Sequence, residues 1–201
     1  MLENKHYELY TDGGASEKGA ASAVIISLPP QKRKVVCRLG KISAMEAEIL
    51  AGILGVELIT KNSEQPQVVW YCDNKVVVDI ANVFLADWAA NAWKNKQNKS
   101  IANLALWQEF WELTQQVKLE VRHVTAHSGQ RQNTACDRAC SWIQEKGSKL
   151  LEIHGEGLIG RQKNLDPKNA WLLLDLREGM ELERIRQKIA GLDNLGFNGY
   201  I

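Results

Sequence analysis

The chain has 201 residues, 45% hydrophobic and 24% charged, with a formal net charge of +1. That is length for one good domain plus an appendage, with an ordinary globular balance. No apolar run approaches the roughly 18 residues of a membrane span, and the N-terminal MLENKHYEL lacks the apolar core of a secretory signal. A charge so near zero does not announce a nucleic-acid partner, which has to be read from local patches. Cys37, Cys72, Cys136 and Cys140 stand in apolar or helical surroundings without framework spacing. They read as reduced thiols of a cytoplasmic protein. Cys136 and Cys140, four apart on an expected helix, read as core-facing residues rather than a metal pair.

Residues 6–15, HYELYTDGGA, alternate as a strand that stops at Asp12 and turns on Gly13 and Gly14. Residues 20–28 and 35–41 continue as an antiparallel meander across Pro29-Pro30. A helix over 43–61 follows, with Ser43 as N-cap and Glu46 completing a capping box. Ile49, Ile53, Val56 and Ile59 form its apolar stripe, and Gly52 and Gly55 predict close packing on a sheet. Residues 67–72 read as a buried parallel strand ending at Asp73-Asn74. Helices over 75–84 and 104–116 flank a polar stretch, 88–103, that carries Trp88, Trp93, Lys94, Lys96 and Lys99. A strand over 117–123, a glycine-containing loop over 126–133 and a helix over 134–146 close the series.

The order β-β-β-α-β-α-α-β-α predicts an α/β fold with a mixed five-stranded sheet and helices on both faces. Residues 1–146 form the expected catalytic unit. Residues 147–201 form a small, helical C-terminal extension of unknown role. There Asp166-Pro167 reads as a helix start, and Leu182, Ile185 and Ile189 lie on a short helix closed by Gly191. Its apolar content, with Trp171, Leu172, Leu173 and Leu174, must be buried on the core, on a second copy or on a protein partner.

Asp12 and Asp73 end neighbouring parallel strands, which places both at the sheet edge where α/β proteins hold ligands. Glu48, early in the helix after the third strand, and Asp137, early in the last helix, can reach the same edge. Four clustered carboxylates repel one another. Divalent cations relieve that repulsion, and oxygen donors suit Mg²⁺ or Mn²⁺. Two such ions roughly 4 Å apart clamp a phosphodiester.

These residues resemble type 1 ribonuclease H, including retroviral ribonuclease H domains. YTDGGA matches the family's first-strand motif. SAMEAEILA resembles the second, which selects Glu48 over Glu46. YCDN is similar to the third, with Asn74 in place of the usual serine, and HVTAHSGQRQNTACDRA matches the His-Ser-Gly loop followed by Asn and Asp. The likeness covers about residues 5–146. The first hairpin lacks the family's Gly-Asn-Pro-Gly turn, and the stretch 88–103 is a short version of the basic protrusion.

The resemblance implies an endonuclease that hydrolyses the RNA strand of RNA/DNA hybrids with two Mg²⁺ ions, Mn²⁺ able to substitute, held by Asp12, Glu48, Asp73 and Asp137. It implies proton transfer or product departure assisted by His127. Gly13, Gly14 and Ser43 belong to the expected surface that meets the RNA minor groove. Asn74 and Asn133 are assigned to the substrate by their places in the matched motifs, and Trp88 and Trp93 to the DNA strand. A DNA structure-selective nuclease and a non-catalytic nucleic-acid-binding or assembly module are the competing readings. The chain is expected to associate with no membrane.

Overall fold

The structure, a computed structural model, describes residues 5–28, 31–61, 63–125, 130–154 and 171–176. Apolar and β-branched runs make three antiparallel strands: β1 (His6–Ser16), β2 (Gly19–Leu28) and β3 (Gln31–Leu39). β4 (Gln67–Cys72) pairs parallel with β1 and β5 (Lys118–His123) parallel with β4. A further strand, β6 (Leu172–Leu176), pairs parallel with β3. The sheet order is β5-β4-β1-β2-β3-β6. The five-stranded mixed sheet therefore stands as expected. The sixth strand comes from the extension, where helix was expected: a short leucine-rich run fits either state, and the open edge of β3 decides for strand. The expected helices around residues 166 and 182 lie outside the described residues.

α1 (Ala44–Thr60) starts as the sequence predicts. The Ser43 hydroxyl accepts the Glu46 N–H, and the Glu46 carboxylate accepts the Ser43 N–H at 2.8 Å. Its residues from Ala47 to Ile59 are buried on one face of the sheet. A Cβ on Gly52 would meet the Trp70 indole at 2.6 Å, and one on Gly55 would overlap the Leu9 side chain. The two glycines therefore let the helix lie directly on β4 and β1. α4 (Leu104–Thr114) backs α1 with Leu106, Trp107, Phe110 and Leu113 buried. The opposite face is covered by α5 (Arg131–His154), whose Cys136, Ala139, Cys140 and Ile143 pack on Tyr10, Ala21, Ala23, Ile25 and Val36.

The helix after Asp73 is longer than the 75–84 expected. α2 (Lys75–Asp79), a π-helical turn (Ile80–Phe84) and α3 (Leu85–Ala90) follow without a break, so Trp88 is helical. α5 likewise runs past residue 146 to His154. No helix among the described residues is long and apolar enough to cross a membrane.

Gly52→Ala sets two effects against each other. Alanine gains about 1 kcal/mol of helix propensity, whereas forcing a methyl into the buried Trp70 ring costs about 1–3 kcal/mol. The ring is fully buried and cannot yield, so net destabilisation is the expected outcome, read from the midpoint of urea unfolding.

Candidate active site

The pairing of β1 with β4 stops at Tyr10–Tyr71, while β1 runs on against β2 as far as Ser16–Gly19. Asp12 sits just past the point where its parallel neighbour ends, and Asp73 is the first residue after β4. Both carboxylates thus come to the C-terminal edge of the parallel strands. Gly13 and Gly14 do not form the expected turn. They are strand residues, and a Cβ on Gly13 would overlap the backbone of Ala47 and Glu48. The bare backbone is there to admit the helix. The Ser22 hydroxyl, donating to the Ala47 carbonyl at 2.6 Å, holds α1 to β2 at the same level.

This contact places Glu48, in the second turn of α1, against the sheet edge. Glu48 is 5% exposed. Its carboxylate receives the Gly13 N–H and the Asn74 amide, while its buried Oε2 accepts no hydrogen bond from the described residues. Burial above all, then the charges of Asp12 and Asp73, push its pKa up to about 9. Donor atoms of Glu48, Cys72 and Asp73 lie within 4.8 Å of one another. Among the described residues that tight group does not include Asp12 or Asp137. Asp12 makes itself felt through its charge on Glu48. Asp137 stands half-buried on α5, one helical turn beyond Asn133 and so on the same face.

α5 is tied to the edge at several points. The Cys136 and Cys140 thiols donate to the carbonyls of Tyr10 and Asp12 at 3.5 and 3.4 Å, in keeping with a core-facing reading of both. Burial pushes both thiols well up. The Asn133 amide donates to Asp73 Oδ2 at 3.0 Å. His123 Nε2 lies 3.1 Å from the Asp73 carbonyl, which makes Nε2 the protonated nitrogen.

The other sequence-predicted residues fall in distinct places. Ser43 is exposed and its hydroxyl also donates to Glu46 at 2.7 Å, so its side chain serves the helix cap. Asn74 caps α2, accepting from the N–H groups of Val76 and Val77. Trp88 is half-buried between Phe84 and Trp107, with ring centroids 6.1 and 6.4 Å away. Trp93 is half-buried on the core. Asn133 is 4% exposed and turned to Asp73. His127 lies outside the described residues. Sequence reasoning passed over Cys72 and His123, although each closes a strand that ends at the acidic edge, which was the available signal.

The RNase H family model matches residues 4–143 of the chain. A ribonuclease H from Trichodesmium erythraeum is 31% identical over 149 residues, which cover 72% of this chain and 90% of that protein. The chain belongs to the ribonuclease H family. A second ribonuclease H, from Rhodopirellula baltica, is 30% identical over 141 residues, 67% of this chain and 87% of that protein. Among solved structures, LC9-RNase H1, described as a type 1 RNase H with the type 2 active-site motif, matches with TM-score 0.63 at 22% identity over 72% of this chain and 74% of its own. The PFV RNase H domain matches with TM-score 0.58 at 18% identity, over 71% and 94%. As a type 1 ribonuclease H the chain is an endoribonuclease that degrades the RNA of RNA/DNA hybrids and depends on divalent metal. The residues present fit such an ion: an acidic, oxygen-rich edge with a buried Glu48 Oε2 that accepts no hydrogen bond from the described residues.

Two predictions follow from the Gly13 and Glu48 geometry. Gly13→Ala displaces α1 and should lower both the melting temperature and hybrid cleavage. Gly14→Ala meets only the flexible Gln144 amide at 3.3 Å and should be tolerated. For Glu48, the folded chain keeps the carboxyl proton up to about pH 9, whereas the ordinary value is 4.5. Metal-free stability contributed by this group is full below the lower value and falls as pH rises through the window, by at most about 1.4 kcal/mol per pH unit. Glu48→Gln removes that dependence, so melting temperatures in chelator should diverge in favour of the variant as pH rises between the two values.

Proposed function

We propose that Asp12, Glu48, Asp73 and Asp137 hold two Mg²⁺ ions, with Mn²⁺ able to replace them, for hydrolysis of the RNA strand. The observation that carries the reading is Glu48, a buried carboxyl crowded by Asp12 and Asp73, with an oxygen that no group among the described residues satisfies. A divalent cation turns that crowding from a cost into attraction. The chemistry such ions supply when bound is activation of water and stabilisation of the leaving oxygen.

The chain's own residues orient and exclude. Gly13 N–H and the Asn74 amide hold Glu48 in place, and Asn133 and His123 fix Asp73 from two sides. In this proposal Asn74, Asn133 and Gly13 serve the substrate through the carboxylates they position. Gly14 and the exposed Ser43 backbone meet the minor groove, where 2′-hydroxyls distinguish RNA from DNA. Trp88 and Trp93 carry the DNA strand, and His127 moves a proton or speeds product departure. We assign chemistry to residues 1–146, self-association or a protein partner to residues 147–201, and the enzyme to the cytoplasm, in keeping with four buried cysteines that form no disulfide.

The test is cleavage of matched RNA/DNA, RNA/RNA and DNA/DNA duplexes in Mg²⁺. Cutting of RNA in the hybrid alone is expected. DNA cutting would select a structure-selective nuclease, and no cutting a binding module. Asp12→Asn should abolish cleavage with the fold intact by circular dichroism; near-native turnover would remove Asp12 from the metal site.

A further inference from the structure

The acidic edge holds one donor that hard cations do not ask for. Cys72 is fully buried at the end of β4, directly before Asp73. Its sulfur makes one long contact, 3.9 Å to the Asn74 carbonyl. Cys136 and Cys140, by contrast, are directed to β1 carbonyls at shorter range. Among the described residues, the group whose donor atoms lie close enough to share an ion is Glu48, Cys72 and Asp73, all within 4.8 Å. Within it Glu48 is 5% exposed and its buried Oε2 has no hydrogen bond from the described residues.

We infer that Glu48, Cys72 and Asp73 form a binding site for a thiophilic divalent cation of the Zn²⁺ or Cd²⁺ class. One thiolate and two carboxylates with a fourth position left to water are a donor set such ions accept. A tetrahedral centre with metal–sulfur about 2.3 Å and metal–oxygen about 2.0–2.2 Å places its donors roughly 3.5 Å apart, so small side-chain shifts close the site. Sulfur is also the discriminating donor: it adds affinity for soft metals and none for Mg²⁺. As the metal–sulfur bond forms, the thiol proton passes to solvent and no electron changes hands. Binding stands on this geometry alone. Its consequence rests on the reading under Proposed function: Glu48 and Asp73 are shared, so a thiophilic ion excludes Mg²⁺ and inhibits cleavage.

The experiment titrates the full, reduced chain with Cd²⁺ and follows the thiolate-to-cadmium charge-transfer absorption in the ultraviolet. The expected result is a saturable band that Cys72→Ser loses, with affinity falling at least about tenfold, the lower end of what even an outer-shell change costs a metal site. Cys72→Ala serves if a buried serine unfolds the chain. Asp73→Asn should keep the band but bind Cd²⁺ more weakly. A band that survives both Cys72 variants, or a Cd²⁺ affinity indifferent to Asp73→Asn, overturns the site. Calorimetric titration of the same protein with Mg²⁺ separates the two readings. Absent Mg²⁺ binding with an intact cadmium band removes the Mg²⁺ assignment alone, whereas Mg²⁺ binding without the band removes the thiophilic site alone. Zn²⁺ should raise the Mg²⁺ concentration needed for half-maximal cleavage in the wild type and do so less in Cys72→Ser.

Discussion

Everything at the acidic edge depends on one steric fact: the backbone of α1 lies against the backbone of β1 at Gly13. No side chain fits between them. That approach lowers Glu48 into the sheet edge, where burial and two neighbouring acids make its ionisation unfavourable. The same approach brings the Gly13 N–H to the Glu48 carboxylate. One contact therefore creates the electrostatic burden and part of its relief.

The burden is carried by rigid surroundings. α1 is held by the Ser22–Ala47 bond and by glycines that seat it on Trp70 and Leu9. Trp70 is itself fixed by its indole N–H donating to the Thr11 hydroxyl at 2.8 Å, a buried bond beside Asp12. From the other face, α5 grips the β1 carbonyls through two cysteines and Asp73 through Asn133. Side chains held on both faces of a sheet lose little further entropy when a ligand orders them, and that is the condition of a preorganised site.

Much of this was legible in the residues. Carboxylates at strand ends and a capping box that occupies Glu46 leave Glu48 as the inward-facing acid two positions on. The meander, the parallel additions and the helix caps follow local rules, and local rules are what a sequence displays. Gly13 was misread because Asp-Gly-Gly is turn chemistry, while the reason for the glycine is a helix 35 residues later, a contact no local pattern records. Asn133 takes its substrate assignment from its place in the matched motif, and its burial and its bond to Asp73 are tertiary facts that no local pattern records. The strand at Leu172–Leu176 was hidden because an apolar run without alternation does not say whether it will pair or coil.

That strand has a consequence for how the chain comes to be folded. A sheet edge with unpaired N–H and C=O groups is a template for another chain. The two edges of the five-stranded part of the sheet are treated differently, and β6 takes the outermost place beyond β3. β5 presents exposed Lys118, Glu120 and Arg122 in alternation, charges that discourage a neighbour from adding on. β3 is covered by β6. The covering residues leave the ribosome long after β3, so the β3 edge stays open until after the motif residues have emerged. Until then solubility rests on the nascent chain's Gln31-Lys32-Arg33-Lys34 run at the start of that strand, which sets like charges against like wherever two unfinished copies meet.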